Sequence, residues 1–436
     1  MKKKLIIIII IMCMVLLGVG CGFAYFVTRE SKTDKELFLY YLTKNDGKSE
    51  VAEIMNKYFA KKGESSYKTK GKAELNVSGA EDDEEIQMLN DSKLTFEGKK
   101  NPAEKMTEQE ITAVLGMGIN VPLKYKQDGD LFAVQTNLLT SKYIGFKNEN
   151  LDELAKKIGI ESEEIPNKIN FEQSDIKLDN VNEIKDKYKK IILDNLPDES
   201  AFSKETNGNK TIITATMTYK EIVQLSKELL KQLRNEELIV KKAKENNIEL
   251  KEYYDSIDSL IKELDNIENK NGKAEIKLYI EKDQVTGFDI LIYEENDILA
   301  KITAEINNDK LKLNMNLPDQ TSLESVFELV HDENDVAMNI KLKISADNNN
   351  MEFNGKIEYK NIFKLDNVEE NYSFEVSGEM YVIEKIAFNY SNLVTFDEDI
   401  KIEKISEKNS YIINNMSEED LQSFMIAIYQ KLSTIQ

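Results

Sequence analysis

The feature that most constrains the fold is an alternation of apolar and polar residues that recurs along the chain. Between Tyr67 and Val77 every second residue is uncharged, and the residues between them are mostly lysine and glutamate. Successive side chains of a β-strand point to opposite faces of the sheet, so this period of two predicts strands with one buried and one hydrated face. The pattern repeats in residues 274–280, 298–306, 311–317, 336–346, 351–359 and 372–380.

The segments between the alternating runs predict an antiparallel arrangement. They are rich in Asp, Asn, Gly and Lys, and the runs recur about every 10–15 residues, as in antiparallel meanders. Asp128-Gly129, between the runs Val121–Gln127 and Leu131–Leu138, is typical of a tight hairpin. All the runs together predict about thirteen to fifteen strands.

Amphipathic stretches with apolar residues three and four positions apart predict several helices. Two of them follow sequences that resemble capping boxes, Asn150 with Glu153 and Thr218 with Glu221. In the last helix Ser417 is the predicted N-cap, and the predicted inner stripe is Leu421, Phe424, Met425, Ile428 and Leu432. The predicted helical segments are residues 35–59 with a break at 45–47, 151–158, 181–196, 219–269 and 417–433.

A large sheet with a single apolar face has to be covered by other elements. We therefore expect an α+β fold in which one or two strongly curved, half-barrel-like antiparallel sheets carry amphipathic helices on the concave face. Residues 35–320 are expected to form a helix-plus-sheet, half-barrel-like domain with a helical insertion at 219–269. Residues 321–436 are expected to continue the antiparallel strands and to end in a helix.

The first 27 residues predict the location of the protein. Three lysines precede an uncharged apolar run from Leu5 to Val27, which as a helix is about 34 Å long, enough to cross a bilayer core of about 30 Å. We expect residues 1–27 to be a cytoplasmic tip and an uncleaved transmembrane signal anchor, 28–34 to be a linker, and 28–436 to lie outside the cell membrane. Two alternatives keep the same location: lipidation at Cys21, since residues 17–22 resemble a lipobox, and ordinary signal-peptide cleavage.

Composition excludes several kinds of chemistry in residues 28–436, the part of the chain expected outside the cell membrane. Both cysteines, Cys13 and Cys21, lie in the N-terminal apolar run, so the rest of the chain has no thiol for a disulfide, a metal or a nucleophile. His331 is the only histidine, and its acidic neighbours indicate a solvated loop. No motif of a known catalytic class occurs. We therefore expect no enzyme, and we assign no catalytic, cofactor-binding or metal-binding residue.

Charge restricts the partners of the chain. The formal net charge is −21, and because the first 27 residues contribute +3, the remainder carries −24. Only Arg29 and Arg234 are arginines. Such a surface disfavours nucleic acid and suits solubility or a cationic partner protein. The acidic segments 81–85, 332–335 and 397–399 offer oxygen atoms that Ca²⁺ accepts but lack EF-hand spacing, so we interpret them as solvated turns.

Three segments carry a resemblance to known proteins. After a leading helix comes the strand Tyr67-Lys-Thr-Lys-Gly-Lys-Ala-Glu-Leu-Asn-Val, then the helix Thr218-Tyr-Lys-Glu-Ile-Val-Gln-Leu-Ser-Lys-Glu-Leu-Leu, then the meander Lys273-Ala-Glu-Ile-Lys-Leu-Tyr-Ile-Glu-Lys-Asp. This order is similar to the half-barrel of the lipoprotein-carrier and mycobacterial lipid-carrier superfamily, over most of residues 35–320. Residues 141–161 resemble a stretch of uncharacterised membrane-anchored extracytoplasmic proteins from clostridial-type Gram-positive bacteria. The resemblance implies an apolar concave face that shelters acyl chains, and it transfers no binding residue.

Two functions are open at this stage. The first is a non-enzymatic, membrane-tethered extracytoplasmic protein whose curved sheet binds a lipid or another amphipathic ligand. The second is a structural or protein-interaction module of the cell envelope, in which helices fill the concave face and the acidic exterior docks a cationic or envelope protein. An enzyme that uses carboxylates alone would need two acids with raised pKa values facing each other in a cleft. A continuous apolar cavity favours the first function, and a close-packed helical layer favours the second.

Overall fold

A computed structural model gives the fold of the chain. It describes residues 33–43, 50–79, 86, 90–115, 118–158, 168, 187–188, 190–245, 250–265, 271–307, 309–317, 321–346, 349–380 and 383–433. The predicted membrane anchor, residues 1–27, lies outside these ranges. Within them, no helix has the length and apolar character needed to cross a membrane.

Strands dominate the described residues. The elements are, in chain order, α1 (Asp34–Thr43), α2 (Glu50–Glu64), β1 (Tyr67–Ser78), β2 (Ser92–Asn101), β3 (Met106–Leu115), β4 (Ile119–Asp128), β5 (Leu131–Gln135), β6 (Tyr143–Lys147), α3 (Leu151–Lys157), β7 (Phe202–Asn207), β8 (Lys210–Thr218), α4 (Tyr219–Arg234), α5 (Glu237–Glu245), α6 (Lys251–Asp265), β9 (Gly272–Glu281), β10 (Gln284–Glu294), β11 (Asp297–Asn307), β12 (Lys310–Asn316), β13 (Ser322–His331), β14 (Val336–Ala346), β15 (Asn349–Lys360), β16 (Asn367–Met380), β17 (Ile383–Phe396), β18 (Ser410–Ile412) and α7 (Glu418–Leu432). The eighteen described strands are assigned to one sheet. The predicted α+β class and the predicted antiparallel sheet are confirmed.

The chain divides into two compact units. Among the described residues, unit 1 takes those within 1–48, 170–328 and 342–349, and unit 2 takes those within 49–169, 329–341 and 350–436. In unit 1, β7 to β12 form an antiparallel meander in which each strand pairs with the next along the chain. Helices α4, α5 and α6 lie between β8 and β9 in the sequence.

One face of the unit 1 meander is closed by helices. Its side chains on β8 to β10 are almost fully buried, namely Ile213, Ala215, Met217, Ala274, Ile276, Leu278, Ile280, Phe288, Ile290 and Ile292. Phe38 of α1, Leu225 of α4 and Leu264 of α6 belong to the same cluster. The Tyr41 hydroxyl donates to Asp283 Oδ1 at 2.7 Å, which fixes α1 to the turn between β9 and β10. Unit 1 therefore has a packed helix-on-sheet core.

In unit 2 the first strand pairs with one of the last. Strand β1 lies between β2 and β17, so the pairing order is β15, β16, β17, β1, β2, β3, β4, β5, β6, β18. Only the β6–β18 pair of this series is parallel. Helix α2 packs on the sheet through Val51, Ile54 and Tyr58, in a cluster with Tyr359 and Val368.

The eighteen described strands exceed the predicted thirteen to fifteen, because strands such as β10 and β17 do not meet the alternation criterion. In β10, Leu291 is buried beside Ile290 and Ile292, so both faces are apolar and the period of two is lost. In β17, Glu384 and Lys385 are adjacent charges, and regular alternation begins only at Ile386. The Asp128-Gly129 hairpin is confirmed, since Asp128 pairs with Leu131 across the turn.

Two predicted helix details are wrong. Asn150 precedes α3 with φ 52° and ψ 45°, and in this left-handed conformation its side chain makes no cap hydrogen bond. On α7 the predicted N-cap is confirmed, since Ser417 accepts from the Asp420 N–H. Met425, however, is 37% exposed while Leu421 is 3% exposed. The helix docks on a narrower stripe than predicted, with the Phe424 ring 5.3 Å from that of Tyr411.

The capping box of α4 is confirmed and gives a first prediction. The Thr218 side chain accepts from the Glu221 N–H at 3.3 Å, and Glu221 Oε2 accepts from the Thr218 N–H at 2.7 Å. We expect Thr218→Ala to lower the free energy of unfolding by about 1 kcal/mol, because it leaves a helix N–H without its acceptor. Urea unfolding of Thr218→Ala and Thr218→Ser measures this, and Ser should keep most of the stability. Equal losses in both variants would contradict the capping role.

Candidate ligand-binding face

One face of the unit 2 sheet carries rows of aromatic and aliphatic side chains across neighbouring strands. Directly paired residues of antiparallel strands share a face. The register places Tyr372 opposite Tyr390, Tyr390 opposite Ala73, and Phe374 opposite Phe388. We call this surface the aromatic face, and it comprises Leu75, Leu94, Phe96, Phe353, Ile357, Tyr372, Phe374, Phe388 and Tyr390.

The rings of the aromatic face stack on one another. Tyr372 and Tyr390 have centroids 5.1 Å apart at 14°, and Phe96 lies 5.9 Å from Tyr390 at 22°. Phe353 stacks on Phe374 at 6.0 Å. Gly71 makes room for this arrangement, because a Cβ there would lie 2.6 Å from Phe96 Cζ. Stacked rings aligned by neighbouring strands form an apolar surface, which we also call the platform.

Part of this platform is accessible to solvent. Helix α2 covers its edge, where Tyr58 is fully buried and Val368 and Val394 are 0% exposed. Away from the helix the rings are only half-buried, and Leu94 is 36% exposed. Contiguous, partly exposed apolar surface of this kind marks a candidate binding site.

A buried polar network lies where α2 meets the platform. Glu370, which is 1% exposed, accepts from the Tyr58 hydroxyl at 2.7 Å, from Asn392 Nδ2 at 2.8 Å and from the Lys62 ammonium at 2.5 Å. Burial, followed by the charge of Glu370, raises the pKa of the Tyr58 hydroxyl. Asn392 Oδ1 is buried and has no hydrogen-bond partner among the described residues. In this network the negative charge of Glu370 is paired with the positive charge of Lys62.

A second lysine, Lys100, faces the same side of the sheet. Lys100 pairs with Tyr67 across the β1–β2 ladder and is half-buried. Burial and then the charge of Lys62 lower the pKa of the Lys100 ammonium. Around Glu370, the described residues Lys62 and Lys100 thus supply two ammonium groups against its one carboxylate.

The opposite face of the same strands is polar. It contains a depression of about 360 Å³ flanked by Lys72 and Glu74 on β1 and by Lys356 and Glu358 on β15. Each lysine donates to the glutamate of its own strand, at 3.1 Å and 2.7 Å. These hydrogen bonds lower the pKa of both carboxyl groups. Since each of these lysines is paired with a glutamate of its own strand, we interpret this face as an ordinary hydrated surface.

The residues singled out from the sequence are not members of the aromatic face. His331 is the exposed last residue of β13. Asp332 Oδ1 accepts from the Asn334 and Asp335 N–H groups, and Asp397 Oδ1 accepts from the Asp399 N–H. These carboxylates shape turns, and segment 81–85 lies outside the described residues. No cluster suited to a metal occurs among the described residues.

The raised pKa values of buried tyrosines predict that the fold loses stability at alkaline pH. Burial, followed by a nearby carboxylate, raises the pKa of Tyr219 to about 12 and that of Tyr390 to about 12, from an ordinary 10.0. A hydroxyl that holds its proton more tightly when folded stabilises the fold below pH 10, and this contribution is lost as pH rises towards 12. We expect urea unfolding to show declining stability above pH 10, by about 1.4 kcal/mol per pH unit for each such tyrosine. Tyr219→Phe should flatten that decline, and an unchanged slope would contradict the assignment.

Sequence reasoning missed this site because it did not single out β17. The period-two series Ile386, Phe388, Tyr390 was the available signal. No protein-family model matches the chain, and no curated protein matches it.

Proposed function

We propose that the protein binds an amphipathic molecule on the aromatic face of unit 2, as a non-enzymatic extracytoplasmic protein tethered to the membrane by residues 1–27. The observation that supports this most is the row of stacked, half-buried rings Phe96, Tyr390 and Tyr372. An aliphatic chain laid on such a platform would remove apolar surface from water on both partners, at about 25 cal/mol per Å². Strong curvature of the sheet, with helices on the concave side, belongs to the same proposal.

Photo-crosslinking tests the binding. Membranes that carry the full-length chain are incubated with single-chain amphipaths that bear a photoreactive group in the chain and a carboxylate, an alcohol or an ammonium as headgroup. We expect at least one probe to label the peptides of β2 and β17. Combined Phe96→Ala and Tyr390→Ala replacements should abolish this labelling, whereas Glu97→Ala and Asn389→Ala, their neighbours on the polar face, should leave it intact. Absence of labelling by every probe would overturn the proposal.

The location is tested separately, by topology. Protease added to intact cells stripped of their wall should cleave near Lys310. If that region survives while the protease remains active, the orientation is reversed.

A second candidate function is supported by unit 1. There the apolar face of the meander is covered by close-packed helices, which suits a scaffold rather than a ligand cavity.

Helix α7, in unit 2, also exposes Ile426 at 58% and Tyr429 at 74%, as a protein-interaction surface would. Under this proposal the chain is a structural or docking module of the envelope. Crosslinking with a protein-reactive reagent in cells, lost on combined Ile426→Ser and Tyr429→Ser replacement, would favour it.

A further inference from the structure

The charge beside the aromatic face points to the headgroup of the ligand, an inference that rests on the proposed function. The described residues provide no hydrogen bond or ion pair to the Lys100 ammonium. Lys62, by contrast, is held by Glu370, whose side chain is 2% exposed. The one carboxylate of the network is thus already engaged, and no carboxylate of the described residues pairs with the positive charge of Lys100.

Lys100 lies on the same strand and the same face as two members of the aromatic face, Phe96 and Leu94. Residues 94, 96, 98 and 100 of β2 share one face. Between Lys100 and Phe96 the only β2 residue on that face is Gly98, so β2 itself contributes no side chain there. From Lys100 to Leu94 the strand spans about 20 Å at about 3.3 Å per residue. A long extended acyl chain covers this length.

We propose that Lys100 receives the carboxylate of a single-chain fatty acid whose hydrocarbon chain lies on the aromatic face. An anion that brings its own apolar chain would exclude water from the half-buried ammonium of Lys100. The ion pair would then be stronger, because charges attract more strongly where water is excluded. The one positive charge of Lys100 matches one carboxylate. Lysine is suited to this as a point charge, whereas bidentate phosphate recognition favours arginine.

The test compares headgroups on identical chains. In membranes that carry the full-length chain, we expect the photoreactive fatty acid to label the β2 and β17 peptides about tenfold more than the alcohol of equal chain length. Lys100→Met keeps the apolar stem and removes the charge, so it should bring labelling by the acid down to the level of labelling by the alcohol. Lys100→Arg should retain the preference.

The matched control is Lys99→Met, which alters the adjacent, exposed lysine on the opposite face of β2. It should not change the ratio of acid to alcohol labelling. Equal labelling by acid and alcohol in the wild type, or an unchanged ratio in Lys100→Met, overturns the headgroup inference while the proposed function stands. Failure of every probe overturns both. Melting curves of each variant show whether it folds, and Lys100→Arg reports on the charge even where Lys100→Met does not fold.

Discussion

Replacing Glu370 with leucine is expected to lower the free energy of unfolding of unit 2 by about 3–5 kcal/mol. Leucine has a similar volume but accepts no hydrogen bond, so it leaves the Tyr58 hydroxyl and the Lys62 ammonium without the acceptor they share. An unpaired charge at a buried site is among the most destabilising changes a single substitution makes. Urea denaturation followed by circular dichroism measures the loss.

Glu369 provides the control for this experiment. It precedes Glu370 on β16 and points to the other face, where its side chain is 47% exposed and 4.0 Å from Lys360. An exposed ion pair of this kind contributes little, so Glu369→Leu should change stability by less than about 1 kcal/mol. Similar losses in the two variants would mean that the Glu370 network does not stabilise the fold.

Truncating Leu225 to alanine is expected to lower the free energy of unfolding of unit 1 by about 2–5 kcal/mol. Leu225 is 0% exposed and lies in the cluster between α4 and the meander. Removing its side chain forfeits its burial and leaves a cavity that the packed neighbours fill only in part. Thermal and urea unfolding measure the effect.

The same helix supplies the comparison for Leu225. Leu233 is 36% exposed, and Leu233→Ala makes the same change in helix propensity without opening a core cavity. We expect it to cost less than about 1 kcal/mol. Comparable destabilisation by the two substitutions would indicate that the cluster in unit 1 is not close-packed.

Much of the sheet could be predicted from the sequence, because a strand with one wet face has to alternate. Strands such as β1 and β9 bury their alternating residues where the pattern places them. Strand β10 could not be predicted in this way because Leu291 is buried on the second face. Local alternation carries no information about a residue that tertiary packing covers from the other side.

Helix ends show a similar limit. Thr218 with Glu221 forms a capping box, whereas Asn150 with Glu153 has the same spacing and does not. The difference lies in the backbone, since Asn150 takes the left-handed conformation that asparagine tolerates better than most residues. Sequence spacing specifies which side chains can form a cap, and the incoming loop decides whether they do.

The aromatic face could not be predicted because it depends on pairings between distant parts of the chain. Phe96 and Tyr390 are neighbours only because β1 inserts between β2 and β17. Similarly, Glu370 meets Tyr58 across 312 residues of sequence. Periodicity shows that each strand has an apolar face, but the register of the ladders determines which rings stack and where Lys100 lies.

The most direct test of ligand binding on the aromatic face is mass spectrometry of what co-purifies with the full-length chain from its native membrane. The wild type should carry a single-chain carboxylate in near-equal molar amount, and the combined Phe96→Ser and Tyr390→Ser variant, purified in parallel, should lack it. Identical lipid content in the two preparations would contradict binding on this face.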